Sequence, residues 1–409
     1  RLAGADRSAA HTRLRDYFAA VPEPEEVTSL EDLTPVIELY HHTVRAGQLD
    51  EAQTLYRDRL DPLYHQLGAY QLIIDLMRPL FPDGEDRPPR LENESAQGWT
   101  LNELANSYSL SGQPRRAVPL FEASNDIDEK RGDKRGVAIG LGSVASVALM
   151  PIGALRDAEA NLRRYIALSR ELEIEEENAD AYVELGRLLA YRGAYDESET
   201  ELATGLRMLE KQGDVQAQAV GWADRALREL LLLRSNPDSA PRTQQSALQS
   251  ARRALELADE DARTDYPVER DYVRAHWLLG AAHRVGGHHD EAERHLHEAL
   301  ERCRRINLVE FEADILIDLA RLHAATGQVD DAGRLAEEAR LIAERSGYVL
   351  QGADAHLELA KLARNRGDRA AAREHAGQAK ELATCDGLPD YTYKAAYDEA
   401  EAMLTELGP

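Results

Sequence analysis

The chain has 409 residues and a net charge of −25, and a field of that sign repels nucleic acid and anionic membrane, so an anionic ligand would need a local basic patch. Its two cysteines, Cys303 and Cys385, are too few for a disulfide scaffold or a cysteine-rich zinc site and fit a reducing, cytoplasmic setting. No apolar run approaches the roughly 20 residues that span a bilayer, and the length exceeds that of a usual single core without any shift in composition along it.

The first segment, residues 1–30, reads as a lead-in helix and linker. It opens RLAGADRSAA, which is neither a signal peptide nor a natural initiator, and suggests a piece of a larger protein. From residue 31 a signature returns: Gly-x₄-Ala at Gly47, Gly112, Gly153, Gly287, Gly327 and Gly367, with a serine-ended version at Gly193. The intervals are 65, 41, 40, 94, 40 and 40 residues. A motif recurring about every forty residues between helix-length stretches is the mark of a helical repeat array. Helix-period patterning supports this, with Leu185, Leu188 and Leu189 on one face and Leu202, Leu206 and Leu209 in the partner.

Each signature glycine falls where one helix must stop, because glycine takes the left-handed conformation past a helix end without steric cost. The alanine five residues on sits early in the next helix, where close approach to the first helix limits its size. The expected fold is all-α, a right-handed superhelical solenoid of eight to nine antiparallel helix pairs over residues 31–390. The intervals of 65 and 94 residues predict irregularity near 63–98 and 216–260. The first holds an acid-, proline- and glycine-rich loop at 82–95, expected to be mobile. In the second, RSNPDSAPRTQQS at 234–246 supplies the excess, and a degenerate repeat spans about Gln216 to Glu260. Residues 391–409 read as a capping helix over the last apolar face.

LNELANSYSLSGQPRRAVPLFE, with Tyr108, Gly112, Ala117 and Phe121, resembles the tetratricopeptide repeat. AYVELGRLLAYRGAYDESETEL resembles it as well, with Tyr182, Leu185, Gly186, Gly193 and Tyr195 in consensus places and Ser198 replacing the usual alanine. The period of 40 in place of 34 implies longer helices. The N-terminal third, HTRLRDYFAAVPEPEEVTSLEDLTPVIELYHHTVRAGQLDEAQTLYRDRL followed by LYHQLGAYQLIIDLMRPLFPDG, resembles the segment that follows the nucleotide-binding and winged-helix modules of STAND signal-transduction ATPases. In that family a C-terminal tetratricopeptide array is the sensor, and its occupancy releases an autoinhibited monomer into an oligomer. The resemblance therefore implies two partners, an inducer of unknown class and a nucleotide-binding module of the same polypeptide.

Catalytic signatures are missing. There is no phosphate loop, and GDKRG at 132–136 lacks its spacing and hydroxyl; HExxH, GxSxG and paired-cysteine motifs are absent too, so no enzyme activity or cofactor is expected of this chain. The run HHDEAERHLH crowds His288, His289, Glu291, His295 and His297 together, with Glu291 and His295 at i, i+4. Because His288 and His289 fall in a turn and His297 points away around the helix, this run reads as solvated polar residues and no metal site is assigned.

Binding is then expected on the concave face. In tetratricopeptide arrays the first helix of each pair lines the groove, and counting back from each glycine transfers the inward positions. Before Gly112 the count gives Trp99, Asn102, Glu103, Asn106 and Ser109, where the amide of Asn106 offers donor and acceptor together. Before Gly47 it gives Ile37, Glu38, His41 and Val44, and before Gly153 an apolar floor of Ser143, Val144, Val147 and Met150. Further on the ninth position turns basic, with Arg187, Arg321 and Lys361 each three residues after an acid: Glu184, Asp318 and Glu358. Such cations could orient a carboxylate or phosphate, or bridge neighbouring repeats. Arg274, Trp277 and Arg284 form the remaining inward set, an aromatic among cations. Two functions follow: a sensor whose occupancy is passed to an ATPase module, and a free-standing adaptor that holds a partner peptide or helix.

Overall fold

The computed structural model describes residues 4–24, 26–174, 178–236, 240–264 and 266–408. Helices dominate it, and the only β pairing among the described residues is an isolated bridge between Gly387 and Tyr391. A lead-in helix α1 (Gly4–Ala19) lies on the first pair, α2 (Leu30–Arg45) with α3 (Leu49–Arg59). Short helices α4 (Pro62–His65) and α5 (Tyr70–Met77) and a 3₁₀ turn over Arg78–Leu80 fill the long first interval. Next come α6 (Glu94–Leu110) with α7 (Pro114–Arg131), α8 (Lys134–Ser143) with α9 (Leu155–Glu171), and α10 (Asp180–Tyr191) with α11 (Tyr195–Gln212). The second half pairs α12 (Val215–Ser235) with α13 (Ala240–Thr264), α14 (Glu269–Val285) with α15 (His289–Arg305), α16 (Val309–Ala325) with α17 (Val329–Ser346), and α18 (Val349–Asn365) with α19 (Arg369–Ala383). α20 (Lys394–Leu407) ends the described chain.

The repeat signature has the predicted stereochemistry. All seven signature glycines take φ between 76° and 89°, which an L side chain rarely adopts. The alanines five residues on, Ala52, Ala117, Ala158, Ala292, Ala332 and Ala372, are completely buried. Ser198 fits the same slot because its Oγ donates a 2.6 Å hydrogen bond to the Gly186 carbonyl. Four of the first helices, α6, α14, α16 and α18, have 17 residues, which accounts for the stretched period.

The segment after Phe81 is a loop, as expected, with several ties to the array: Arg90 pairs with Asp83 at 2.8 Å, Glu85 accepts from Tyr108 and Arg116, and Leu91 is buried. In the 94-residue interval helix length takes up much of the excess, since α12 has 21 residues and α13, which starts at Ala240, has 25; of the stretch 234–246 expected to supply it, residues 237–239 lie outside those described.

The superhelix is wound so tightly that its successive turns touch. Val349 N–H donates to the Pro151 carbonyl at 2.8 Å, and the Tyr348 hydroxyl reaches the Ser109 carbonyl at 3.4 Å, 239 residues away. Arg156 N–H donates to Asp386 and Arg192 to the Asp390 carbonyl, 230 and 198 residues along the chain. These contacts converge on the glycine turns of the first half. A Cβ on Gly112 would stand 2.8 Å from Val309, one on Gly153 2.8 Å from Val349, and one on Gly193 2.6 Å from Lys394, whereas Gly327 and Gly367 have nothing within 4 Å. Glycine at the first three positions therefore satisfies both a left-handed turn and a tight interturn contact. Gly153→Ala should destabilise the chain by about 1–3 kcal/mol more than Gly327→Ala, because only the former adds overpacking to backbone strain. Equal losses in urea unfolding would rule out that second role.

Candidate ligand chamber

Closure turns the concave groove into an interior channel. One part of it is a chamber of about 360 Å³ walled by α12, α14, α16, α18 and α20. One wall is apolar, with Leu227, Leu230, Leu231, Ile317 and Leu350; the other carries Arg234, Arg284, Arg321, Lys361, Asp314, Asp318, Asp354, Glu358 and Glu399. Tyr191, Trp277 and Tyr393 supply aromatic surface. Trp277, Tyr191, Leu227, Asp314 and Leu350 also line a neck of about 30 Å³ that continues inward. Beyond the Arg187–Glu184 pair lies a vestibule of about 430 Å³ lined by Tyr64, Tyr70, Asp180, Glu184, Gln216, Arg270 and Asp271.

The charged groups form a ladder that crosses repeats. Each acid–base pair expected at i, i+3 is present: Glu184–Arg187 at 2.5 Å, Asp318–Arg321 at 3.3 Å and Glu358–Lys361 at 2.9 Å. Their other contacts leave the helix. Arg321 also meets Glu358 at 2.9 Å and Asp354 at 3.4 Å, Arg284 meets Asp318 at 3.0 Å, and Lys361 reaches Glu399 at 2.9 Å. Arg234 pairs with Asp354 at 2.7 Å and Glu399 at 2.8 Å, and donates to the Tyr393 hydroxyl. Trp277 is anchored by its indole N–H on Asp318 at 2.8 Å.

Electrostatics separate these carboxyls. Burial drives Glu358 upward, but Lys361 and Arg321 overcome it and hold the group down at about 2. Burial likewise opposes Asp318 and Glu399, yet Arg284 with Arg321, and Arg234 with Lys361, keep each below the usual carboxylate range. Asp314 has no such cation. Burial pushes it up to about 8; Gln351 Nε2–H, donating at 2.9 Å, offsets this only in part, and Asp354, Asp318 and Glu310 add to it.

The sequence-assigned residues fall into four places. Trp277, Arg284, Asp318, Arg321 and Lys361 share the chamber wall. Arg187 and Arg274 line the neck, and Glu184 faces the vestibule. Trp99, Asn102, Glu103 and Asn106 lie on α6, away from all three: Trp99 packs on Tyr56 with ring centres 5.9 Å apart, and Glu103 accepts from the Tyr56 hydroxyl. Burial raises Glu103 to about 7, and the Asn106 amide N–H bonds back to Asn102 within its own helix. Of the floor expected before Gly153, Val144 and Met150 are buried and Ser143 and Val147 half-buried, and it is not α-helical throughout, for Val144–Leu149 forms a π turn. There the donor five residues after Ser146 would be Pro151, which has no N–H, and Arg187 fills the carbonyl instead at 3.2 Å.

Arg234, Asp354, Tyr393 and Glu399 escaped sequence reasoning. α12 has no signature glycine from which to count, and α20 was expected only to cap. In the histidine run His288, Glu291 and His297 are exposed, in keeping with the solvated reading, but His295 is 7% exposed and lies 2.8 Å from His276, ring nitrogen to ring nitrogen. Among the described residues, Glu293, His297 and His323 bring ligand atoms within 4.8 Å of one another, the one grouping that could hold a metal ion.

An all-α solenoid of antiparallel pairs with an inward-facing chamber defines a repeat-type binding scaffold. The chain's later repeats match the tetratricopeptide repeat: models of that family match residues 278–308, across α14 and α15 up to the start of α16, and 313–338, within α16–α17. No curated protein matches by sequence. Among solved structures, it is similar to the Rap conjugation gene regulator of the plasmid pLS20 in complex with the Phr* peptide, at 14% identity and TM-score 0.55 over 91% of this chain and 97% of that one. A Rap protein complexed with Competence and Sporulation Factor gives 13% and 0.50, over 92% and 98%. A STAND protein with a tetratricopeptide repeat sensor from Pyrococcus horikoshii gives 14% and 0.45, over 98% of this chain and 54% of that one. The matching families describe repeats, not catalytic domains, and no helix among the described residues is long and apolar enough to cross a membrane.

Asp314 yields a pH signature. Its carboxyl ionises near pH 4 in an unfolded chain but only near pH 8 in the fold, so its contribution to stability is lost as pH rises through that window. Asp314→Asn removes this titration. The melting temperature of the variant relative to the parent should climb steadily from pH 4 to pH 8 and then level off; a flat difference would show Asp314 ionised in the fold at ordinary pH.

Proposed function

We propose that this array is a ligand-sensing module whose occupant lies in the chamber, and that it serves as the sensor of a STAND-type signal-transduction ATPase. The observation that carries the sensing role is that the chamber wall joins helices far apart in the chain. Arg234 on α12 bonds Asp354 on α18, 120 residues away, and Glu399 on α20, 165 residues away. An occupant seated there touches the middle and the end of the superhelix at once. Its binding energy then favours one degree of winding over another, provided it contacts the two arrangements unequally. The ATPase assignment is supported by the N-terminal third, whose residues resemble the segment after the nucleotide-binding module in that family. A peptide is the occupant class we favour, because the chamber combines apolar, aromatic and charged walls and similar folds have been solved with the Phr* peptide and with Competence and Sporulation Factor.

Two measurements test this. The coding sequence upstream of Arg1 should contain a phosphate-loop nucleotide-binding module, and its absence would leave an adaptor as the better description. Hydrogen exchange tests the coupling. Arg234→Met removes the cation shared by Asp354 and Glu399, a loss of order 3–5 kcal/mol for a buried pair. Exchange over 394–407 should accelerate at least ~tenfold in the variant, while α2–α3 stays unchanged. Equal exchange in the two proteins would refute the link between chamber and closure.

A further inference from the structure

In the neck, unpartnered acceptors outnumber unpartnered donors, the reverse of the chamber, whose unpartnered atoms are the donors Arg284 Nε and Arg321 Nη2. Of its lining residues, Asp224, Glu310, Gln351 and Arg274 are each more than nine-tenths buried. Asp224 Oδ2, Glu310 Oε2 and Gln351 Oε1 have no hydrogen-bond partner, against a single unpartnered donor, Arg274 Nη1. A buried acceptor left without a donor costs about 1–3 kcal/mol, so three around one small space is a substantial bias. Charge points the same way. Around the neck and the vestibule, Arg187, Arg270 and Arg274 face the acids Glu184, Asp224, Asp271, Glu310, Asp180 and Asp261, besides Asp314, whose carboxyl burial pushes up to about 8. Two of the arginines are otherwise engaged: Arg187 with Glu184 and the Ser146 carbonyl, and Arg274 over the Phe311 ring at 5.3 Å. Asp224 Oδ2 stands 4.0 Å from the nearest of them, Arg187 Nε.

Building on the chamber as ligand site, we infer that the neck is a subsite for a primary ammonium group, as on a lysine side chain or a peptide amino terminus. An ammonium has three N–H donors and no acceptor, matching three open acceptors, and it supplies positive charge where the surrounding arginines are outnumbered by acids. About 30 Å³ admits a group of this size, whereas a carboxylate would place acceptors against acceptors. Trp277 and Leu227 line both chamber and neck, so an alkyl stem descending from the chamber would run along an aromatic and an aliphatic surface before its charged end is met.

The test uses three small probes of one shape: the N-acetyl methylamides of lysine, norleucine and glutamate. Each is titrated against the full chain while the Trp277 indole N–H resonance is followed. The lysine probe should bind at least ~tenfold more tightly than norleucine, and glutamate more weakly than either. Asp224→Asn and Glu310→Gln keep the shape of the neck, so either variant should abolish the lysine preference while leaving norleucine binding and the circular dichroism spectrum unchanged. If the three probes bind alike, or the lysine preference survives in both variants, the ammonium subsite is overturned and the chamber stands. If no probe perturbs Trp277, both fall.

Discussion

The contact of one superhelical turn with the next organises this molecule. Gly112, Gly153 and Gly193 offer bare backbone at the ends of their helices, and Val309, Val349 and Lys394 come down on that backbone at distances a side chain would forbid. Once these turns meet, the groove that a looser array presents to solvent becomes enclosed. Its lining residues then face one another across a narrow space.

Enclosure explains the charged interior. A lone guanidinium taken out of water is costly, and the ladder Arg284–Asp318–Arg321–Glu358–Lys361–Glu399–Arg234–Asp354 gives each member at least one opposite charge within 4 Å. Such a ladder contributes little net stability compared with apolar packing of equal volume. It does make the winding specific, since the rungs Arg284–Asp318, Arg321–Glu358, Lys361–Glu399, Arg234–Glu399 and Arg234–Asp354 join different helix pairs and a shifted turn would leave buried charges unpaired. Asp314 is the exception. It has no cationic partner and meets the low-dielectric surroundings by holding its proton.

The same enclosure divides the interior into regions of different chemistry. In the chamber the charges are matched rung by rung, and its apolar wall is open to a ligand's side chains. In the neck, acceptors outnumber donors and a π turn at Val144–Leu149 redirects Arg187 onto a backbone carbonyl. Helices hold both regions, and Tyr393 with Glu399 of α20 borders the chamber.

Much of the repeat architecture was legible in the chain itself. Positive-φ glycines and fully buried alanines are local requirements of a helix turn and a close helix pair, so they recur in the sequence at the period of the structure. Counting from those glycines also put Trp277, Arg284, Asp318, Arg321 and Lys361 on the inner face, because helical phase is a local property. The same count chose Asn102 and Asn106, whose amides meet each other instead of the chamber. It could not reach Arg234 or Glu399. Which inner faces meet depends on how far the superhelix rotates per repeat, and that rotation is the sum of many small packing angles set by side chains from different repeats. Sequence determined the helices, their turns and the inward positions. Only the tertiary structure decided that the turns close, that the groove becomes a chamber, and which charges are joined across it.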